Sequence, residues 1–128
     1  MKRKLAPILL AGAGMIACSG AFAWSSVGDK IKLTPAELTF CRTWESDAAA
    51  VMYARQFGSS TPTYPNDTAV DPTDFDKRKR QYFIREALNY QIAETEKEKM
   101  SAAEAFSVQM RNRCFGVVTS TPSTKEAQ

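Results

Sequence analysis

Few side chains in this sequence could do chemistry. They are the carboxylates of Glu45 and Asp47, the cysteines Cys18, Cys41 and Cys114, and a basic run, Lys77-Arg78-Lys79-Arg80. The chain has no histidine. That removes the commonest general base, the Ser-His-Asp and Cys-His arrangements, and the most frequent metal ligand. Cys41 and Cys114 lie too far apart in sequence for zinc-ligand spacing, and no Gly-rich loop could cradle a phosphate. No metal, no cofactor and no catalytic residue is therefore expected. Glu45 and Asp47 are two positions apart, and on a helix such residues face different ways. They read as solvated. Carboxylates paired from two different helices are the enzymatic alternative, which would make the chain a carboxylate-dependent hydrolase.

The basic run looks at first like a nucleic-acid patch. Four consecutive residues wrap around a helix instead of forming one face, and Asp74, Asp76 and Glu86 flank them. They read as a solvated helix surface, with Asp74–Arg78 and Asp76–Arg80 as i,i+4 pairs worth tenths of a kcal/mol. Net charge agrees. Three of the 17 basic residues, and none of the 14 acidic ones, lie in the first 23 positions. Those positions read as a secretory signal peptide: Lys2, Arg3 and Lys4 lead, an apolar stretch follows, and Ala21-Phe22-Ala23 sets a cleavage site before Trp24. Without them the chain is formally neutral. No nucleic-acid partner is expected.

Met15-Ile16-Ala17-Cys18 offers a second processing route, a lipobox-like stretch that would acylate Cys18. Membrane contact is expected only in that case. By either route Cys18 leaves the count, and Cys41 and Cys114 remain in an oxidising compartment, where they should pair. The expected location is periplasmic or secreted, with lipid anchoring to the envelope as the alternative. The bond would close a loop of about 74 residues, for which chain entropy sets a ceiling near ~4.5 kcal/mol.

The elements that would position these groups are helical. Residues 24–33 read as a polar lead-in, 34–116 as the helical domain and 117–128 as a disordered polar tail. Thr34-Pro35-Ala36-Glu37 is a capping box with proline at the first helical position. Cys41, Trp44, Ala48, Val51, Met52 and Arg55 then recur at spacings of three and four, as a helix stripe does. Gly58 suits its end. Residues 59–71 form a proline-containing loop. A second capped start at 71–74 precedes a helix bearing Phe75, Tyr82, Phe83, Ala87 and Tyr90. Thr95-Glu96-Lys97-Glu98 opens the last helix, with Met100, Ala103, Phe106, Met110 and Cys114, and Gly116 closes it. Val117–Val118 is the only stretch with any extended character.

This is an all-α reading: a small bundle of three helices, or four if the long loop holds a short one. The disulfide makes the first and last helices antiparallel, with the start of one beside the end of the other. The chain must then double back between them, by a returning loop, by a middle helix lying across the bundle, or through an extra short helix.

Cys41, Ala49, Val51-Met52, Arg55-Gln56-Phe57-Gly58, Ala87-Leu88-Asn89-Tyr90, Phe106 and Cys114 together form a pattern. It resembles a group of small exported two-cysteine helical proteins of proteobacteria and their phages. The resemblance spans about residues 38–115 and departs from the usual pattern between Gly58 and Gln81, where this chain is richer in proline. It implies export, helicity and the disulfide, and no activity.

Arg55-Gln56-Phe57-Gly58 reads first as a helix ending, since Arg55 favours the helix dipole and Gly58 the left-handed turn. The functional alternative is a surface for a partner protein, with Tyr53, Arg55, Gln56, Phe57 and Tyr64 as candidates. Trp44, Tyr82, Phe83 and Phe106 read as core. The expected function is non-enzymatic: binding another envelope protein, of unknown identity, as an inhibitor or as a phage exclusion or lysis-regulating factor. An envelope structural or chaperone-like (lipo)protein is the second reading.

Overall fold

The structure, a computed structural model, describes residues 24–27 and 30–120. Residues 1–23, read as a signal peptide and holding Cys18, and positions 121–128 of the expected tail lie outside the described residues. Three long helices dominate: α1 (Pro35–Gln56), α2 (Asp74–Ala87) and α3 (Glu96–Ser120). A short 3-10 turn, Pro65–Thr68, sits in the loop between α1 and α2.

Each helix starts as the local sequence dictates. The Thr34 side chain accepts the Glu37 N–H at 3.3 Å, and Glu37 accepts the Thr34 N–H at 2.7 Å. Thr73 and Asp76 exchange the same pair of bonds at the start of α2. Thr95 and Glu98 repeat them at α3. Such caps satisfy amide groups that the helix itself leaves unpaired. At the other end of α1, Gly58 has φ +73°, the left-handed region that favours glycine. There the Ser59 N–H reaches back to the Ala54 carbonyl at 2.8 Å, which closes the helix with a Schellman-type bond.

Two sequence expectations need correction. The lead-in at 24–33 is a hairpin: β1 (Ser25–Val27) pairs antiparallel with β2 (Lys30–Lys32), with Ser26 opposite Ile31. Its flanking Trp24 and Leu33 pack on the disulfide. That tertiary contact, and not local pattern, holds so short a ribbon. Secondly, α3 does not stop at Gly116, and Val117–Val118 is helical and not extended. Val118 is fully buried against Cys41 and Cys114, so its packing outweighs the roughly 1 kcal/mol that a helical glycine costs. Residues 117–120, read from the sequence as the start of a polar tail, are thus the last turn of α3.

The disulfide Cys41–Cys114 is present and completely buried, with Cα atoms 5.5 Å apart. It joins α1 to α3. From it the α1–α3 contacts advance along one helix and recede along the other: Glu45 meets Arg111, and the Phe57 ring meets Lys99. The contacts of α2 advance in step with α1 instead. Phe75 stacks near Phe40, Lys79 and Arg80 meet Asp47, and Arg55 reaches the Tyr90 carbonyl just beyond α2. Residues 57–73 thus carry the chain back along α1 as a returning strap, and the 3-10 turn lies within it. Both features were among the ways the sequence left open for the chain to double back.

The main core lies where the three helices meet. Ala48, Val51 and Met52 face Phe83 and Ala87 of α2 and Ala103, Phe106 and Met110 of α3. Phe83 and Phe106 are buried as the stripe predicts, while Trp44 and Tyr82 pack at its edge, partly exposed.

Candidate partner-binding face

The five candidate residues separate into two groups. Arg55 points inward along the surface. Its guanidinium donates to the Tyr90 carbonyl at 3.2 and 3.0 Å and to the Leu88 carbonyl at 3.5 Å. Gln56 is 1% exposed. Its amide donates to the Gln91 carbonyl at 2.9 Å, and its oxygen accepts the Ala93 N–H at 2.8 Å. These two side chains bind the linker between α2 and α3 to the end of α1. Buried backbone groups in a linker need such partners. Gln56→Ala is expected to cost about 1–2 kcal/mol, because the part-buried Gln91 carbonyl and Ala93 N–H lose their partner. Urea melts check this, and hydrogen exchange at Ala93 should accelerate selectively.

Tyr64 is also engaged internally. Its ring lies 3.7 Å beneath the Arg80 guanidinium. Burial raises the Tyr64 pKa, the Arg80 charge opposes that rise, and Asp47 and Asp67 reinforce it.

Arg80 belongs to a buried charge cluster that the sequence reading missed. Asp47, 1% exposed, receives Lys79 and Arg80, each at 3.0 Å. Arg80 also grips Asp67 of the strap through two bonds of 3.0 and 2.6 Å, the bidentate geometry that guanidinium favours. Lys79 reaches Asp76 at 3.2 Å. Burial disfavours the Arg80 cation, but its bonds to Asp67 and Asp47 outweigh burial and raise its pKa. The solvated reading of the basic run therefore fails for its second half: Lys79 and Arg80 are buried, while Lys77 and Arg78 stay exposed. The expected Asp74–Arg78 and Asp76–Arg80 pairs give way to Asp74–Lys77 and Asp76–Lys79. The solvated reading of Asp47 fails as well. A signal was present: Asp47 stands three residues after Trp44 and four before Val51, on the apolar stripe, where a lone carboxylate implies a buried cation.

Glu45 faces Arg111 at 3.1 Å, on the other side of α1. The two carboxylates point apart, as the spacing requires: Glu45 pairs with Arg111, and Asp47 with Lys79 and Arg80. Among the described residues no cluster of three metal-ligating side chains forms.

Tyr53 and Phe57 remain at the surface. They are 49% and 37% exposed, and their rings stack with centroids 4.5 Å apart. The Lys99 ammonium lies 5.4 Å from the Phe57 ring, within cation–π range. Tyr53 stands on the rim of a groove of about 1110 Å³ between α1 and α3. Ala49, Ala50, Ala54 and Ala103 line it with short side chains, and Met100, 49% exposed, lines it from α3. Ser59, Thr61, Thr63 and Pro65 of the strap contribute another wall. The Arg80–Asp67 grip and the Tyr64 ring hold that strap in place. Sequence pattern could not show this groove, because it forms only where α1 and the strap that follows it meet the distant α3. No helix among the described residues is long and apolar enough to cross a membrane. The chain matches no family model, no curated protein and no solved structure.

Proposed function

We propose that this chain is a small exported, non-enzymatic binding protein that works in the periplasm by occupying the surface of another envelope protein. It acts there as an inhibitor, or as a phage exclusion or lysis-regulating factor. The binding face is the outer surface of the antiparallel α1–α3 pair. One observation carries the reading: Tyr53, Phe57 and Met100 are all exposed on that face, around or beside an open groove of about 1110 Å³. Exposed aromatic and thioether side chains beside a concavity are the usual anchors of protein recognition.

Two further features support it. The buried disulfide suits an oxidising compartment outside the cytoplasm. Glu45 and Asp47, the carboxylates a hydrolase reading would rest on, are each committed to ion pairs.

The test is capture from a periplasmic extract by the folded, oxidised protein and by a Tyr53→Ala/Phe57→Ala variant. The parent should retain a specific envelope protein. The variant should retain at least tenfold less while melting within about 3 °C of the parent, since truncated anchors commonly cost 2 kcal/mol or more of binding. Equal capture by both proteins would remove this face from the account.

A further inference from the structure

The first turn of α1 holds a carboxylate that is only half satisfied. Glu37 is 3% exposed. Its Oε2 accepts the Thr34 N–H at 2.7 Å, whereas Oε1 is buried with no hydrogen-bond partner. The helix N-terminus eases the burial of that charge, but a buried anion without a counter-ion is still costly to a fold. Among the described residues no cation pairs with it. Lys30 and Lys32 of the hairpin are exposed, and Phe115–Ser120 at the end of α3 carry no charged side chain.

The hairpin brings one further group to this place. Ser25 lies opposite Lys32. Carried one residue on, the same register sets Trp24 opposite Leu33, across a strand spacing of about 5 Å. Both residues pack on the cluster of Cys41, Cys114 and Val118. Cys41 stands one helical turn after Glu37 on the same face of α1. Leu33 directly precedes Thr34, whose N–H holds the Glu37 carboxylate. The backbone nitrogen of Trp24 is thus brought close to a buried anion. In the uncut chain that nitrogen is a neutral amide, bonded to Ala23.

Cleavage after Ala23 changes its chemistry. A membrane peptidase adds water across the Ala23–Trp24 amide. Ala23 leaves with the leader as a carboxylate, and the Trp24 nitrogen becomes an α-amine, mostly protonated at pH 7. We propose that this new Trp24 ammonium pairs with Glu37 Oε1, so that removal of the leader supplies the counter-ion the buried carboxylate lacks and locks the hairpin onto the disulfide. The pairing rests on the export reading and is independent of the α1–α3 face.

The test uses the whole gene, expressed for export, with the processed protein recovered from the periplasm. Intact mass fixes its first residue. The Trp24 amine is then titrated through its rate of acetylation, read by peptide mass. It should titrate at about 9 or above, because an anion within about 4–6 Å favours the ammonium; an unperturbed α-amine titrates at about 7.7–8.0. Glu37→Gln can keep the capping hydrogen bonds, and it should return the amine to the ordinary range. Inserting one alanine before Trp24 turns the Trp24 nitrogen back into an amide. That variant should melt several degrees below the parent, while the same insertion in Glu37→Gln should change nothing. An amine in the ordinary range, a raised value that survives Glu37→Gln, or an insertion equally costly in both backgrounds would overturn the pairing alone. A protein that begins at an acylated Cys18, or anywhere but Trp24, would overturn it together with the cleavage reading.

Discussion

Asp47→Ala is expected to destabilise the protein by about 3–5 kcal/mol, the range for removing one partner of a buried ion pair. Asp47 is 1% exposed, and its partners Lys79 and Arg80 have side chains 3% and 9% exposed. Its removal leaves two buried cations facing an apolar gap. Asp76 and Asp67 still hold one cation each, so the lower end of that range is the better expectation. For a domain near 100 residues, 3 kcal/mol lowers Tm by roughly 12–24 °C. Thermal melts at pH 7 check this. Replacing Asp47, Lys79 and Arg80 together by apolar side chains of similar size should cost less, because the carboxylates then left without a partner, Asp67 and Asp76, are partly exposed to water. Large loss in the single variant with recovery in the triple one identifies stranded charge, not packing, as the cause.

The same cluster makes stability depend on acid. Burial alone would raise the Asp76 pKa, but the Thr73 N–H and hydroxyl and the Lys79 ammonium together draw it below the ordinary value of 3.8. Its folded pKa is thus below its unfolded one. The contribution is complete above the ordinary carboxylate range and is lost as pH falls through the folded value. Asp76→Asn should therefore narrow the stability difference between pH 7 and pH 3, as measured by urea melts at both.

Loss of the disulfide has the second large expected effect. The Cys41→Ser/Cys114→Ser variant should lose about 3 kcal/mol, within the ~4.5 kcal/mol ceiling that a loop of this length permits. Both cysteines are fully buried, and Val118, Trp24 and Leu33 pack on them. The hairpin and the last turn of α3 should therefore loosen first, because they draw their packing from this cluster. Faster hydrogen exchange at residues 30–32 and 117–120, with α2 unaffected, is the expected pattern. A variant that melts like the parent would show that this bond does not hold the ends together.

How far the sequence revealed the structure depended on the range of each interaction. The caps at Thr34, Thr73 and Thr95 were legible because each is complete within four residues. Gly58 was legible for the same reason. The disulfide followed from counting cysteines, and with it the need for the chain to double back. What failed depended on distant packing. Gly116 looks like a stop, but Val118 is buried on the disulfide and holds the helix past it. The hairpin at 25–32 has too little local pattern to be seen. Gln56 sits four residues after Met52, on the buried stripe, and its position already implied an internal partner. Tyr53 and Phe57 stood off the main stripe and are exposed, whereas Tyr64, chosen because it lies in the loop, is covered by Arg80. Only the folded strap could bring Arg80 there.

The proposed function depends on one face of the molecule, and crosslinking in the living cell tests that face most directly. A photo-reactive phenylalanine analogue replaces Tyr53 in one strain and the exposed Arg78 of α2 in another. Position 53 should yield one discrete crosslinked product with an envelope protein, and position 78 should yield none. A product from position 78 but not from position 53 would contradict the proposed binding face.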